Sequence, residues 1–412
     1  MTRMRTTAAA LLVALGALGA CTANGTEDGA DRATPPEEEG GTTLADAGAP
    51  EDAGGPSTFD PDAEAPLACG EAGFCETRLP KSELGLPLSL QSVWVVASND
   101  VWSVTAEGYV LHHDGTSWTT AHRIHGALST VWATATEVWA GGDLGFLLHR
   151  NAAGEWSRVE TGYTSRIRAI AGMSEQDVWF ANDDGRVDHF DGTTLAPHSL
   201  SFAGLELRIT TLVAKPGLGA YAAGYIDGLP GAPERALYRS PCLVELTPAG
   251  VTLLNTNLLA RTGFVPVVLQ VTDAPVDDER FFLFGFDYTL KNKNNPAGGY
   301  NLAASYAAIG PTGPVKLAPL ALSDGSRVRR TELAADPVPT YPVWAHRWDD
   351  VRLPYSQPYV LIEDLRWNGA AITFASLAMG ASFVPRALLA VHGNATDTWM
   401  VGEGVALKGA SQ

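Results

Sequence analysis

The sequence is poor in charge, in cysteine and in long apolar runs, and each shortage removes a class of protein. Asp, Glu, Lys and Arg make up only 18% of the 412 residues, too few for a set of long solvent-facing helices. Lys and Arg number 28 against 46 Asp and Glu, a formal charge of −18, and no cluster of basic residues offers the positive stripe that a phosphate backbone requires. Nucleic acid is thereby excluded as a partner. Four cysteines without a Cys-x-x-Cys pair leave no zinc-ligand pattern, and no metal or other cofactor is expected. Motifs for zinc proteases, serine-hydrolase elbows and phosphate loops are missing as well. Gly217-Leu218-Gly219-Ala220-Tyr221-Ala222 has the spacing of a dinucleotide fingerprint but leads into a strand-like run, where such a motif leaves one. After the first twenty residues nothing is apolar for long enough to span a bilayer as a helix.

What is abundant is glycine, 43 residues, and proline, 26, a balance that suits many short strands joined by tight turns. The chain opens with Arg3 and Arg5, an apolar run through Leu11, Leu12, Val13 and Leu15, and then small residues, which is the layout of a secretory signal over residues 1–20. Its end, Leu18-Gly19-Ala20-Cys21, resembles the bacterial lipobox. That resemblance implies acylation of Cys21 and a lipid-anchored protein of the cell envelope, and Thr22 in place of Asp implies the outer membrane. The alternative is an ordinary cleaved signal.

Residues 21–66 are built from Gly, Ala, Pro, Thr and acids, with Arg32 the one basic residue. They cannot form a core and are expected to act as a disordered acidic tether. Cys69 and Cys75 are close enough in sequence to close a small disulfide loop, in keeping with export. Cys242 precedes Leu243-Val244-Glu245-Leu246 and is expected to be a buried thiol.

From residue 67 to 412 a repeat emerges. Ser92-Val93-Trp94, Asp100-Val101-Trp102, Gly108-Tyr109-Val110-Leu111-His112 and Asp114-Gly115-Thr116-Ser117-Trp118 follow in order. Val131-Trp132, Glu137-Val138-Trp139, Gly145-Phe146-Leu147-Leu148-His149 and Gly154-Glu155-Trp156 repeat them. A looser third copy holds Asp177-Val178-Trp179, Gly185-Arg186-Val187-Asp188-His189 and Asp191-Gly192. Each copy reads as four short strands, with an Asp-Gly turn of two positive-φ residues expected between the third and fourth. The second-strand aromatic can be followed through Trp102, Trp139, Trp179, Tyr221, Phe282, Trp344 and Trp399. That predicts an all-β propeller of seven four-stranded blades, with six or eight as alternatives. The last copy stops before a fourth strand, so residues Phe74 to Arg78 are expected to supply it from the N-terminal side and close the ring. Over Leu88 to Lys408 this order of motifs resembles the tectonin and related WD-like and kelch-like propeller families. The resemblance implies the fold but no single activity, since those families include carbohydrate binders, protein scaffolds and a few enzymes.

His112, His149 and His189 share one repeat position. Three histidines could converge on a metal, but a residue that recurs at one strand position is expected to serve its own blade. Insertions in units four, five and six, placed at Tyr225 to Arg235, Asp287 to Asn301 and His346 to Pro358, carry the expected recognition surface. Its candidate ligand-binding residues are Tyr225, Asp227, Asp287, Tyr288, Asn292, Arg347, Trp348, Asp349 and Tyr355. This mixture of flat rings, acids and amides suits stacking on a sugar face or gripping a protein loop. The expected function is a non-catalytic module binding glycan or envelope protein. A polysaccharide hydrolase or lyase using Asp227, Asp287 or Asp349, and an envelope assembly scaffold, are the alternatives.

Overall fold

The computed structural model describes residues 67, 69–70, 73–198, 200–202, 205–226, 240–260, 264–276, 279–287, 302–310, 316–319, 329–330, 344–347, 350–357, 361–367, 372–376 and 386–410. The expected signal, Cys21 and the acidic tether lie outside them. Among the described residues the regular structure is antiparallel sheet and two 3₁₀ turns, and no helix is long and apolar enough to cross a membrane.

Seven sheets follow one another. Sheet one comprises Leu90–Ala97, Asp100–Thr105, Tyr109–His113 and Trp118–Arg123, and sheet two comprises Leu128–Ala133, Val138–Gly142, Leu147–Arg150 and Trp156–Val159. Sheet three is Ile167–Ser174, Asp177–Asn182, Val187–Phe190 and Leu195–His198. In sheet four Leu205–Lys215, Gly219–Ile226, Ser240–Thr247 and Gly250–Leu254 are joined at the edge by Ser201–Phe202. Sheet five holds Phe264–Val276, Glu279–Asp287, Leu302–Ile309 and Lys316–Pro319, and sheet six Trp344–Arg347, Asp350–Gln357, Leu361–Trp367 and Ile372–Ser376. Leu388–Gly393, Asp397–Gly402 and Val405–Ala410 form sheet seven, and Cys75–Glu76, more than 300 residues earlier, pairs with Val405–Ala410 as its fourth strand. The Cys69–Cys75 disulfide sits beside that pairing, and Phe74 is buried under Gly409.

A β-bulge recurs near the start of the first strand in six sheets, between Leu90 and Ser92, Leu128 and Thr130, Ile167 and Ala169, Ile209 and Thr211, Pro266 and Val268, and Leu388 and Ala390. The extra residue re-aims a side chain toward the neighbouring sheet. Ser129 Oγ thus donates to the Ile167 carbonyl and Thr210 Oγ1 to the Pro266 carbonyl, each on the next sheet's first strand. Opposite the bulge, Gly142, Gly224, Gly285 and Gly402 end or nearly end their second strands. A Cβ on Gly224 or Gly402 would run into the carbonyl oxygen of Arg208 or Ala387, so the close approach of the two strands requires glycine there.

Within the sheets one polar unit is repeated. On the second strand a carboxylate stands two residues before a tryptophan, and a basic side chain lies opposite that tryptophan on the third strand: Asp100, Trp102 and His112; Glu137, Trp139 and His149; Asp177, Trp179 and His189; Asp397, Trp399 and Lys408. His Nε2 meets the carboxylate at 3.0, 2.9 and 2.9 Å in sheets one to three, and each imidazole stacks on its indole with centroids 3.9–4.3 Å apart. Both Asp residues also accept the indole N–H, Trp102 at 2.7 Å and Trp179 at 2.8 Å. The longer Glu137 side chain reaches only the histidine, so Trp139 Nε1 has no partner. In sheet seven Lys408 pairs with Asp397 at 3.6 Å and lies over the Trp399 ring. The recurring histidines are therefore each engaged inside their own sheet, and the described residues contain no cluster of metal-ligating groups.

Two expectations need correction. The Asp-Gly turns are not two-residue hairpins with two positive φ angles, because only Gly115 and Gly192 adopt them. Asp114 Oδ1 instead accepts the amides of Thr116 and Ser117 and the Thr116 hydroxyl, so the side chain fastens a four-residue link; Asp191 does the same with Thr193 and Thr194. Trp344 is not the second-strand aromatic of its unit. It lies on the first strand of sheet six, and residues 346–358, expected to be an insertion, are mostly a paired hairpin, with Arg347 against Asp350 and Tyr355 against Glu363 on the second strand. Pro354 within Val-Arg-Leu-Pro-Tyr argues against a strand, which hid this one.

Candidate functional site

The first strands of successive sheets lie side by side. Thr210 meets Pro266, Leu269 N–H donates to Thr211 Oγ1, and Lys215 Nζ donates to the Val271 carbonyl, so the first strands of sheets four and five run in the same direction. The link from second to third strand therefore leaves both sheets at the same end. It spans residues 227–239 in sheet four and 288–301 in sheet five, against 106–108, 143–146, 183–186, 358–360 and 403–404 in sheets one, two, three, six and seven.

These two spans hold part of the surface expected from sequence. Tyr225 is half-buried on the second strand of sheet four, opposite Arg208 and Pro241, and Asp287 closes the second strand of sheet five, opposite Phe264 and Ala303. Asp227, Tyr288 and Asn292 lie outside the described residues, as do Trp348 and Asp349. Arg347 ends a first strand and pairs with Asp350 at the start of the second, at the opposite end of sheet six from its link between second and third strands. Three neighbouring insertions on one side thus reduce to two.

At that opposite end is a cavity of about 500 Å³, lined by the first strands of sheets one, two, three, four, five and seven. Its aromatic side is built by His392, Trp94 and Trp132, with His392 stacked on Trp94 at 4.1 Å and Trp94 tilted against Trp132 at 6.3 Å. Trp132 in turn covers Gly172, where any Cβ would strike its six-membered ring. Ala171, opposite Trp179, ends the aromatic series, and Gly172 gives space to the Trp132 ring beside Met173, Val213 and Val271. His392 Nδ1 accepts the Val95 amide at 3.0 Å, and burial pushes the imidazole pKa down to about 3, so the ring is neutral. No carboxylate is among the described residues that line this cavity.

Sequence reasoning placed Trp94 and Trp132 in the repeat and overlooked the site they make. The available signal was that His392 stands opposite Trp399 as Trp94 stands opposite Trp102 and Trp132 opposite Trp139, so an aromatic ring returns at this position in sheet seven, while sheet three has Ala171 there.

The fold has solved relatives. YCF48 bound to D1 peptide matches with a TM-score of 0.54 at 12% identity, over 84% of this chain and 100% of that one. YCF48 from Cyanidioschyzon merolae gives 0.53 at 13% identity over 82% and 98%, and a catalytically inactive virginiamycin B lyase from Staphylococcus aureus with quinupristin gives 0.52 at 12% identity over 81% and 98%. The chain is a β-propeller. Identities this low concern the fold alone, and the propellers it resembles include both a peptide-bound protein and an enzyme. No family model matches the chain, and no curated protein does.

Proposed function

We propose that this propeller is a non-catalytic binding module of the cell envelope, held on the outer membrane through acylated Cys21 and the tether 22–66, and that it recognises glycan or envelope protein at the end of the sheets from which residues 227–239 and 288–301 depart. The observation that carries the reading is the concentration of chain length at one end of two adjacent sheets, while the same links elsewhere are short.

The seven sheets are taken as seven blades in a closed ring. First strands neighbour one another from sheet one round to sheet seven, and sheet seven's first strand again neighbours sheet one's, with Cys75–Glu76 as the fastening strand. In this arrangement the aromatic cavity is one mouth of the central channel, and the long links surround the other.

The test replaces residues 228–238 and 289–300 by short Gly-Ser linkers and probes arrays of envelope glycans and isolated envelope proteins. Lost binding with an unchanged melting curve is expected; full binding by the shortened protein would overturn the proposal. Cys21→Ala should release the chain from the membrane fraction.

A further inference from the structure

The third strand of sheet three breaks the internal repeat in one place. The position before the basic residue is Leu111 in sheet one, Leu148 in sheet two and Leu407 in sheet seven, all at most 2% exposed; in sheet three it is Asp188, also 2% exposed. An ionisable side chain has taken an apolar slot, which ordinarily costs stability unless the group is paired. Asp188 Oδ1 has no hydrogen-bond partner, and the hydroxyl of Tyr163, on the link between sheets two and three, has none either. The two groups lie close enough to interact with each other, and burial is the largest cause that raises both the carboxyl and the phenol pKa.

They do so at a cavity of about 420 Å³, lined also by Thr161, Arg186, Leu200 and Leu207. It opens at the end of the sheets where Gly185 turns from second to third strand and its carbonyl accepts the Ile209 amide of sheet four. That is the end from which residues 227–239 leave sheet four. Arg186 is exposed at its rim, and Thr161 is tied to the Gly145 carbonyl.

We infer that this cavity between sheets two, three and four is a binding site for a sugar ring, with Asp188 as its floor and Tyr163 as its side wall. The chemistry of the wall selects the class. A carboxylate only accepts, a guanidinium only donates and a phenol does both, while the opposite charges of Asp188 and Arg186 leave no net field to favour an ion. A ligand that satisfies all three must carry donor and acceptor on neighbouring atoms, as vicinal hydroxyls do, and Leu200 and Leu207 supply an apolar surface for a ring's C–H face. The volume falls within the usual range for small-ligand sites, roughly 300–1,000 Å³.

This inference rests on reading that end of the propeller as its binding end, but not on the long links themselves. The full chain, in a detergent without sugar, is titrated with glucose, galactose, mannose and N-acetylglucosamine by calorimetry and saturation-transfer NMR. At least one should bind saturably, and Asp188→Leu and Tyr163→Phe should each weaken it about tenfold or more, the loss of a charge-assisted hydrogen bond. Asp188→Leu restores the residue of the sister sheets and should fold; Tyr163→Phe keeps the ring and carries the test if it does not. The chain with shortened 228–238 should retain the sugar. If no sugar binds, the cavity holds water only and the inference falls. It falls equally if both variants bind like the parent protein. Sugar lost on shortening the link but kept in both point variants would support the link surface and overturn this site.

Discussion

Sheets one to three and sheet four fill the same positions with different chemistry. In the first three, third strands of only four or five residues are fastened by a carboxylate, an indole and an imidazole. In sheet four the corresponding residues are Gly219, Tyr221 and Glu245; the phenol covers the bare glycine and donates to the Leu218 carbonyl at 2.7 Å. Its third strand is eight residues long, so the backbone ladder and a run of Ala, Leu and Val side chains replace the polar fastening. The contrast teaches that the recurring acid, tryptophan and histidine compensate for short pairing. Where strands lengthen, the unit can be dropped, and sheet four also has one of the two long links between second and third strands, residues 227–239.

The largest test of this contrast is Trp179→Ala, which empties a site 1% exposed and should cost about 3–5 kcal/mol in urea unfolding. Asp177→Ala comes next, removing the acceptor of both Trp179 and His189, at about 2 kcal/mol. Tyr221→Phe in sheet four loses one neutral bond and should cost about 1 kcal/mol. If Tyr221→Phe proves as costly as Asp177→Ala, the two sheets are not held differently.

Asp188→Leu sharpens the same point from within sheet three. Unlike Asp177 it has an unsatisfied oxygen, so its replacement should raise stability at neutral pH by about 1 kcal/mol where Asp177→Ala lowers it. A drop in melting temperature would mean that the fold depends on this carboxyl.

Acid should weaken the packing at the aromatic cavity. His392 is neutral when folded and titrates near the usual 6.5 when unfolded, so the unfolded chain takes up more protons between that value and about 3. Its stabilisation is complete above pH 6.5 and is lost as pH falls through that window. Melting curves across it should steepen less for His392→Phe, which keeps the stacked ring without the titration; an unchanged slope would remove His392 from the account. The smallest effect expected is that of Cys242. Burial pushes its thiol up to about 12, and iodoacetamide should leave it unmodified in the native protein and label it in urea.

Much of the fold was legible because the repeat is written in large, rare residues. Val-Trp, Gly-x-x-Leu-His and Asp-Gly recur at fixed offsets, and each offset is a strand or turn length. Sheet six was misread because Trp344, Trp348 and Trp367 are plentiful there without the offsets, and counting rings from the wrong strand turned a hairpin into an insertion. Arg347 and Tyr355 of the candidate surface moved with it onto strands. The sugar cavity left a trace, Asp188 in a leucine slot, yet nothing in the linear pattern brings Tyr163 beside it, since 24 residues of strand and turn intervene.

By itself the sequence determined the alternation and turn spacing of short strands and the acid-tryptophan-histidine unit, because both depend on neighbours within one hairpin. Only the tertiary structure decided which sheet end carries the long links, that Cys75–Glu76 pairs with Val405–Ala410, and that Gly172 leaves room beside Trp132. Those features depend on distances between separate sheets, and side-chain packing across their faces sets such distances.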